Sequence, residues 1–190
     1  WDDLVMHNGT QIDKKPFEHL VFRNLGDGTF ADWSDISGLR NVSAAFLAFA
    51  DVDNDGDQDC FAGMDADRDG RLRLAHQLLL NDGAGHFARK ANSGLEGVLG
   101  TPHVVAAALF GDYDADGRLD LFLGNGSAFV LMSDQLFLGH GDGTFEDASD
   151  RLLGGSSIRR ASNGAVACDY DNDNDLDIFV SVYGAAREYG

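Results

Sequence analysis

The sequence predicts an all-β chain made of β-propeller blades, each of four short antiparallel strands, and three observations carry that expectation. A glycine turn recurs at Asn24–Phe30, Asn81–Phe87 and Gly139–Phe145, at intervals of 57 and 58 residues. An acidic loop recurs at Asp51, Asp112 and Asp169, at intervals of 61 and 57 residues. Two unrelated markers sharing one period define a repeat. Between them lie apolar runs of strand length bounded by Gly, Asp and Asn, and no stretch sustains a 3.6-residue period. Four strands in about 58 residues suit a propeller blade better than a helical solenoid.

The elements follow in order. Asp3-Leu4-Val5-Met6 matches the start of a second strand, by comparison with Asp177-Ile178-Phe179-Val180. Leu20–Phe22 reads as a third strand, Asn24–Thr29 as a hairpin turn and Phe30 as the start of a fourth strand. A helical turn is expected around Asp32–Leu39. The next unit runs through Ala44–Ala50, the Asp51 loop, Cys60–Ala62 (a weaker copy of the second strand), Leu78–Leu80 and Phe87. A third unit runs through Val104–Phe110, the Asp112 loop, Leu121–Leu123, Leu136–Leu138 and Phe145. The last begins with Gly164–Cys168 and ends with Ile178–Val182. The alanine-rich first strands fit the crowded position beside a propeller axis.

These units divide the 190 residues into parts at roughly 1–42, 43–100, 101–160 and 161–190, about three blades in all. Closed propellers have four to eight. The expectation is one incomplete arc of a larger, seven- or eight-bladed propeller, completed by further blades of the same protein or by other chains.

The composition is globular, with 44% hydrophobic residues, and the formal charge is −18. That charge excludes nucleic acid and anionic membrane surfaces as partners. Of 32 acidic residues, 14 fall in the segments 51–59, 112–120 and 169–177. Packed so densely, carboxylates repel one another unless cations sit among them. The longest apolar runs are far too short to span a membrane, and with Trp1 as its first residue no signal peptide is expected within this sequence. Cys60 and Cys168 are too few for a disulfide framework and read as small buried thiols.

The loops Asp51–Asp59, Asp112–Asp120 and Asp169–Asp177 place carboxylates at positions 1, 3, 5 and 9. Alternate residues of a tightly curled loop point to one centre. Position 6 must turn sharply, which Gly56 and Gly117 permit and Asn174 tolerates. Oxygen donors in such number select a hard cation, and a flexible loop favours Ca²⁺ over Mg²⁺. Side-chain ligation is assigned to Asp51, Asp53, Asp55 and Asp59, to Asp112, Asp114, Asp116 and Asp120, and to Asp169, Asp171, Asp173 and Asp177. Backbone carbonyls of Asp57, Arg118 and Asp175 supply position 7, since the Arg118 side chain is a cation. About three Ca²⁺ ions follow. Segment Asp65–Arg73, with Asp65, Asp67 and Asp69, lacks an acid at position 9 and is a weaker candidate for a fourth. An EF-hand needs Glu at position 12, where these loops have Ala62, Leu123 and Val180.

These loops resemble the FG-GAP/VCBS repeat superfamily, whose calcium-looped blades also occur in integrin α-subunits. Leu20–Phe30, then Ser37-Gly38-Leu39, then the Asp51 loop resemble most closely the ASPIC/UnbV (cartilage acidic protein-like) branch. The resemblance covers almost the whole chain. It implies a secreted or cell-surface propeller with Ca²⁺ in the turn joining the first two strands of each blade. Asn174, the Asp65–Arg73 insertion and the small number of blades depart from the pattern.

For function, the expectation is a non-enzymatic, calcium-stabilised module for adhesion or for recognition of an extracellular protein or glycan, with the chain secreted, periplasmic or on the cell surface. Three ions would bring the formal charge from −18 to −12. A carbohydrate-active enzyme of lyase or dehydratase type is the alternative. Against it, His7, His19, His76, His86, His103 and His140 are scattered, and no nucleophile or phosphate-loop motif occurs. A lectin reading through Trp33, Phe46 or Tyr183 is the third. Sequons at Asn8, Asn41 and Asn125 are candidate glycosylation sites, although Asn-Gly is also a common turn.

Overall fold

A computed structural model describes residues 2–6, 18–42, 44, 46–63, 76–96, 105–126, 131–154 and 161–183. The strands are β1 (Leu4–Met6), β2 (Leu20–Asn24), β3 (Phe30–Asp32), β4 (Phe46–Ala50), β5 (Asp59–Gly63), β6 (Gln77–Asn81), β7 (Phe87–Arg89), β8 (Val105–Gly111), β9 (Asp120–Asn125), β10 (Gln135–Gly139), β11 (Phe145–Asp147), β12 (Ser162–Cys168) and β13 (Asp177–Val182). Two one-turn helices, α1 (Ser34–Ser37) and α2 (Ser149–Leu152), follow β3 and β11.

Among the described residues the strands form four antiparallel meanders in chain order. Two are complete four-stranded sheets, β4-β5-β6-β7 and β8-β9-β10-β11; a three-stranded sheet, β1-β2-β3, and a two-stranded one, β12-β13, flank them. The all-β, blade-type expectation therefore holds. Cys60–Ala62, a weak strand by pattern, is part of β5, which is buried along its whole length. A strand covered on both faces has no alternation to display, so small residues there still make a central strand. Helix α1 falls in the expected segment. The expectation did not include α2, which repeats the same device: Asp147 Oδ1 accepts the Ser149 N–H as Asp32 Oδ1 accepts that of Ser34.

The core lies in the seams between sheets. One cluster joins Val21 and Leu39 to Cys60, Ala62 and Leu79; a larger one joins Val52, Phe61 and Leu78 to Val105, Leu121, Leu123, Phe137 and Phe145. The residue after the opening Asp and its second neighbour face back (Leu121, Leu123), and the one between them faces forward. Phe61 and Phe122 hold that forward position and are buried, whereas Phe179 is 70% exposed because, among the described residues, no sheet packs on that face. Cys60 is buried as expected, but Cys168 is exposed, which corrects its reading as a buried thiol.

The seam between the two four-stranded sheets also carries a backbone latch. Ser93-Gly94-Leu95 crosses from one sheet to the next, and the Phe145 N–H donates to the Ser93 carbonyl at 2.8 Å. Gly94 has φ +84°, and a Cβ there would lie 2.0 Å from the Phe145 carbonyl oxygen. Gly38 stands in the same relation to Phe87, at 2.6 Å. Gly94→Ala is thus expected to cost at least about 2 kcal/mol, against about 1 kcal/mol for Gly154→Ala, a left-handed glycine in open space. Urea unfolding of the two variants checks this; equal losses would remove the latch.

Candidate metal centres

The three acidic loops are the turns β4–β5, β8–β9 and β12–β13, and all curl in the same way. The first carboxylate caps the loop from within. Asp51 accepts the N–H groups of Asp55 and Gly56 at 3.1 and 3.0 Å, and Asp112 those of Asp116 and Gly117 at 3.0 and 2.9 Å. Asp169 accepts from Asn172, Asp173 and Asn174. Position 6 is left-handed as expected, in Gly56, Gly117 and Asn174. Position 4 is left-handed too: Asn54, Ala115 and Asn172 have φ between 60° and 63°. That second reversal was not anticipated. Asn at two of the three positions was the available signal, and Ala115 adopts it against its own preference.

Position 9 is the first residue of the next strand and ties the loop to the sheet. Asp59 accepts the N–H groups of Val52 at 3.1 Å and Asn81 at 2.9 Å; Asp120 accepts those of Tyr113 at 2.8 Å and Gly139 at 2.9 Å. Both carboxylates are buried. Asp177 accepts from Tyr170 at 3.1 Å and is more open.

Carboxylate oxygens of positions 1, 3 and 9 converge. One oxygen each from Asp51, Asp53 and Asp59 lies within 4.8 Å of the others, and so do those of Asp112, Asp114, Asp120 and of Asp169, Asp171, Asp177. Position 5 stands outside these triads: Asp55, Asp116 and Asp173 each accept the N–H of residue 7 at 2.9–3.0 Å. The position-7 side chains turn elsewhere. Asp57 faces the Gly83 turn, and Arg118 pairs with Asp116 and donates from Nε to the Gly139 carbonyl at 3.0 Å.

The donor set fits a hard divalent cation. Asp53 Oδ1 is buried with no hydrogen-bond partner, an orphan acceptor inside an all-oxygen triad. Burial first, then the neighbouring charges of Asp55 and Asp51, raise the Asp53 carboxyl above the ordinary range. Burial likewise raises Asp59 and Asp120, outweighing the N–H groups that bond to them. Carboxylates raised in this way, Asp53 and Asp59 in the first loop and Asp120 in the second, are relieved by a cation placed beside them.

The other candidates fare differently. Asp65, Asp67, Asp69, Asn8, His7 and His103 lie outside the described residues. Asn41 is exposed in a turn. Asn125 is fully buried, its amide donating to the Ser133 carbonyl and Gln135 Oε1 at 3.1 Å, so a glycan at this position is incompatible with the fold. His19 and His76 are buried in the seams, His19 bonded to the Val42 carbonyl at 2.7 Å and His76 against the Phe61 ring. His86 pairs with Asp82. Trp33 and Phe46 pack against the core clusters, and Tyr183 is exposed.

The FG-GAP-like repeat model matches residues 1–62 and 112–180, more than half of the chain and all three loops. The chain belongs to the FG-GAP-like repeat family. It is also similar to cartilage acidic protein 1 of Mus musculus, 26% identical over 177 residues covering 89% of this chain and 26% of the relative. The Homo sapiens protein of that name is 27% identical over 177 residues, covering 89% of this chain and 25% of its own length. The FG-GAP-like chain thus spans about a quarter of the curated relatives it matches. Among its described residues no helix is long and apolar enough to cross a membrane.

Proposed function

We propose that this chain is a calcium-stabilised, non-catalytic recognition module that works outside the cell, where calcium is abundant. The observation that carries the reading is the threefold convergence of carboxylates at the first turn of successive sheets, with an orphan oxygen on Asp53. Positions 1, 3 and 9 supply side-chain oxygens; position 5 and the carbonyl of position 7 complete the shell once the ion draws the loop in. Such a site holds an ion rather than turning over a substrate, because the Asp51, Asp59, Asp112 and Asp120 carboxylates are held by backbone N–H groups. Affinity in the range of extracellular modules, about 10⁻⁴ to 10⁻³ M, follows from loops with open sides. The relatives, named for cartilage, support an extracellular setting, and the partner in this reading is a protein or a glycan.

Calorimetric titration of EGTA-treated protein tests the reading. Uptake of about three Ca²⁺ per chain is expected, with Mg²⁺ a poor competitor. No heat of binding, together with carboxylate spectra unchanged by calcium, would return the loops to plain acidic turns.

A further inference from the structure

The first acidic loop is not confined to its own sheet. Val52, set between Asp51 and Asp53, is 2% exposed and belongs to the core cluster that includes Leu121, Leu123, Phe137 and Phe145 of the following sheet. Its carbonyl accepts the Gly143 N–H at 3.3 Å, from the β10–β11 turn of that sheet. The left-handed Asn54 reaches to the same turn, donating from Nδ2 to the Gly141 carbonyl at 3.4 Å. The approach is close enough that a Cβ on Gly141 would lie 2.8 Å from Asn54 Nδ2. Residues 2 and 4 of the loop thus touch the neighbouring blade, while residues 1, 3 and 9 face the ion position.

We infer that calcium binding at the Asp51 loop is coupled to docking of the 139–145 turn of the next blade, so that each strengthens the other. The inference rests on the calcium reading above. An unbound loop must keep Asp51, Asp53 and Asp59 together against their mutual repulsion, and it relaxes by splaying them. Splaying Asp53 from Asp51 moves Val52 and Asn54, the two residues that hold Gly141 and Gly143. A cation that fixes the carboxylates fixes the seam, and by linkage a docked seam presents the carboxylates ready-made. The third loop supplies an internal control: Asn172 has the backbone conformation of Asn54, and among the described residues its side chain has no partner across a seam.

The test is a residue-resolved calcium titration by ¹H–¹⁵N NMR, reading the position-6 amides of Gly56, Gly117 and Asn174 as reporters of the three loops. In the wild type, calcium is expected to slow hydrogen exchange at the Gly143 N–H by at least about fivefold. Asn54→Ala keeps a residue that position 4 accepts, as Ala115 shows. It is expected to weaken calcium binding at the Gly56 loop roughly two- to fivefold and leave the other loops unchanged. Gly141→Ala, which crowds Asn54, is expected to weaken it roughly tenfold, and Asn172→Ala not at all. Gly143 exchange indifferent to calcium, with unaltered affinity in Asn54→Ala, would overturn the coupling while leaving the calcium reading intact. Absence of titration at all three reporters in the wild type would overturn the calcium reading and the coupling with it.

Discussion

Removing calcium is expected to lower the melting temperature of the chain by roughly 8 to 30 °C relative to the same chain in about 10 mM calcium. About 10 mM calcium is roughly a tenfold to hundredfold excess over dissociation constants of about 10⁻⁴ to 10⁻³ M, so each site stabilises the folded state by about 1.4 to 2.7 kcal/mol, and three by about 4 to 8 kcal/mol. In a domain of this size each kcal/mol moves the midpoint by about 2 to 4 °C. The effect carries a pH signature. In the metal-free chain the raised carboxyls of Asp53, Asp59 and Asp120 favour the protonated form. Their folded values lie above their unfolded ones, so they leave stability unaffected at low pH and reduce it as pH rises through the folded values. Calcium reverses that loss by stabilising the ionised form.

The gap between calcium-loaded and EGTA-treated melting curves should therefore be widest near neutrality. It should close as pH falls, starting above the ordinary carboxylate range, because protons and Ca²⁺ compete for the same oxygens. Asp27, Asp32, Asp82 and Asp142 are lowered by donors on Thr29, Ser34, His86 and Thr144. They act in the opposite sense, with stability lost as pH falls, but equally with and without calcium, so they cancel in the difference. Differential scanning calorimetry at several pH values reads this directly. A gap that does not change with pH would mean that the ion sits elsewhere.

Phe61→Ala is expected to cost about 3 to 5 kcal/mol, whereas Phe179→Ala, at the same place in the repeat, should stay within about 0.5 kcal/mol in this 190-residue chain. Phe61 is fully buried in the core cluster with Val105, Leu121 and Leu123 of the next sheet and against the His76 ring, and truncation leaves a cavity that two sheets cannot close without disturbing their register. Phe179 is largely exposed and loses little beyond its contacts within β12-β13. Urea unfolding at saturating calcium measures both. Similar losses at the two positions would show that this position is stabilised within its own sheet, not by the seam.

Much of this architecture was legible because it repeats. The strand runs and turns were recognisable one by one, and the shared period of the glycine turns and acidic loops turned them into blades. Where local composition was poor, the pattern understated the element: Asp59–Gly63 has only Phe61 as a large apolar residue, yet it is a fully covered central strand. Asn125 misled in the other direction. Its Asn-Gly-Ser sequence satisfies a glycosylation signal, but the amide is used internally, and nothing in three consecutive residues reports burial. Cys168 was misread for the same reason, since thiols are usually buried and exposure depends on what covers the sheet.

The acidic loops divide cleanly between the two levels. The sequence by itself determined the donor set, carboxylates at alternate positions with a sharp turn between them, which suits a hard cation, and it determined where along each blade the loops fall. Only the tertiary structure decided which oxygens meet. Positions 1, 3 and 9 converge because a second left-handed residue at position 4 folds the loop back on the strand that begins at position 9. It also decided that Val52, an unremarkable apolar residue between two ligands, is an anchor in the seam with the next blade. Local sequence specifies a turn through its own backbone preferences. The hydrogen bonds between blades described above join residues 52 to 91 positions apart (Ser93 with Phe145, Val52 with Gly143), and no local preference encodes them.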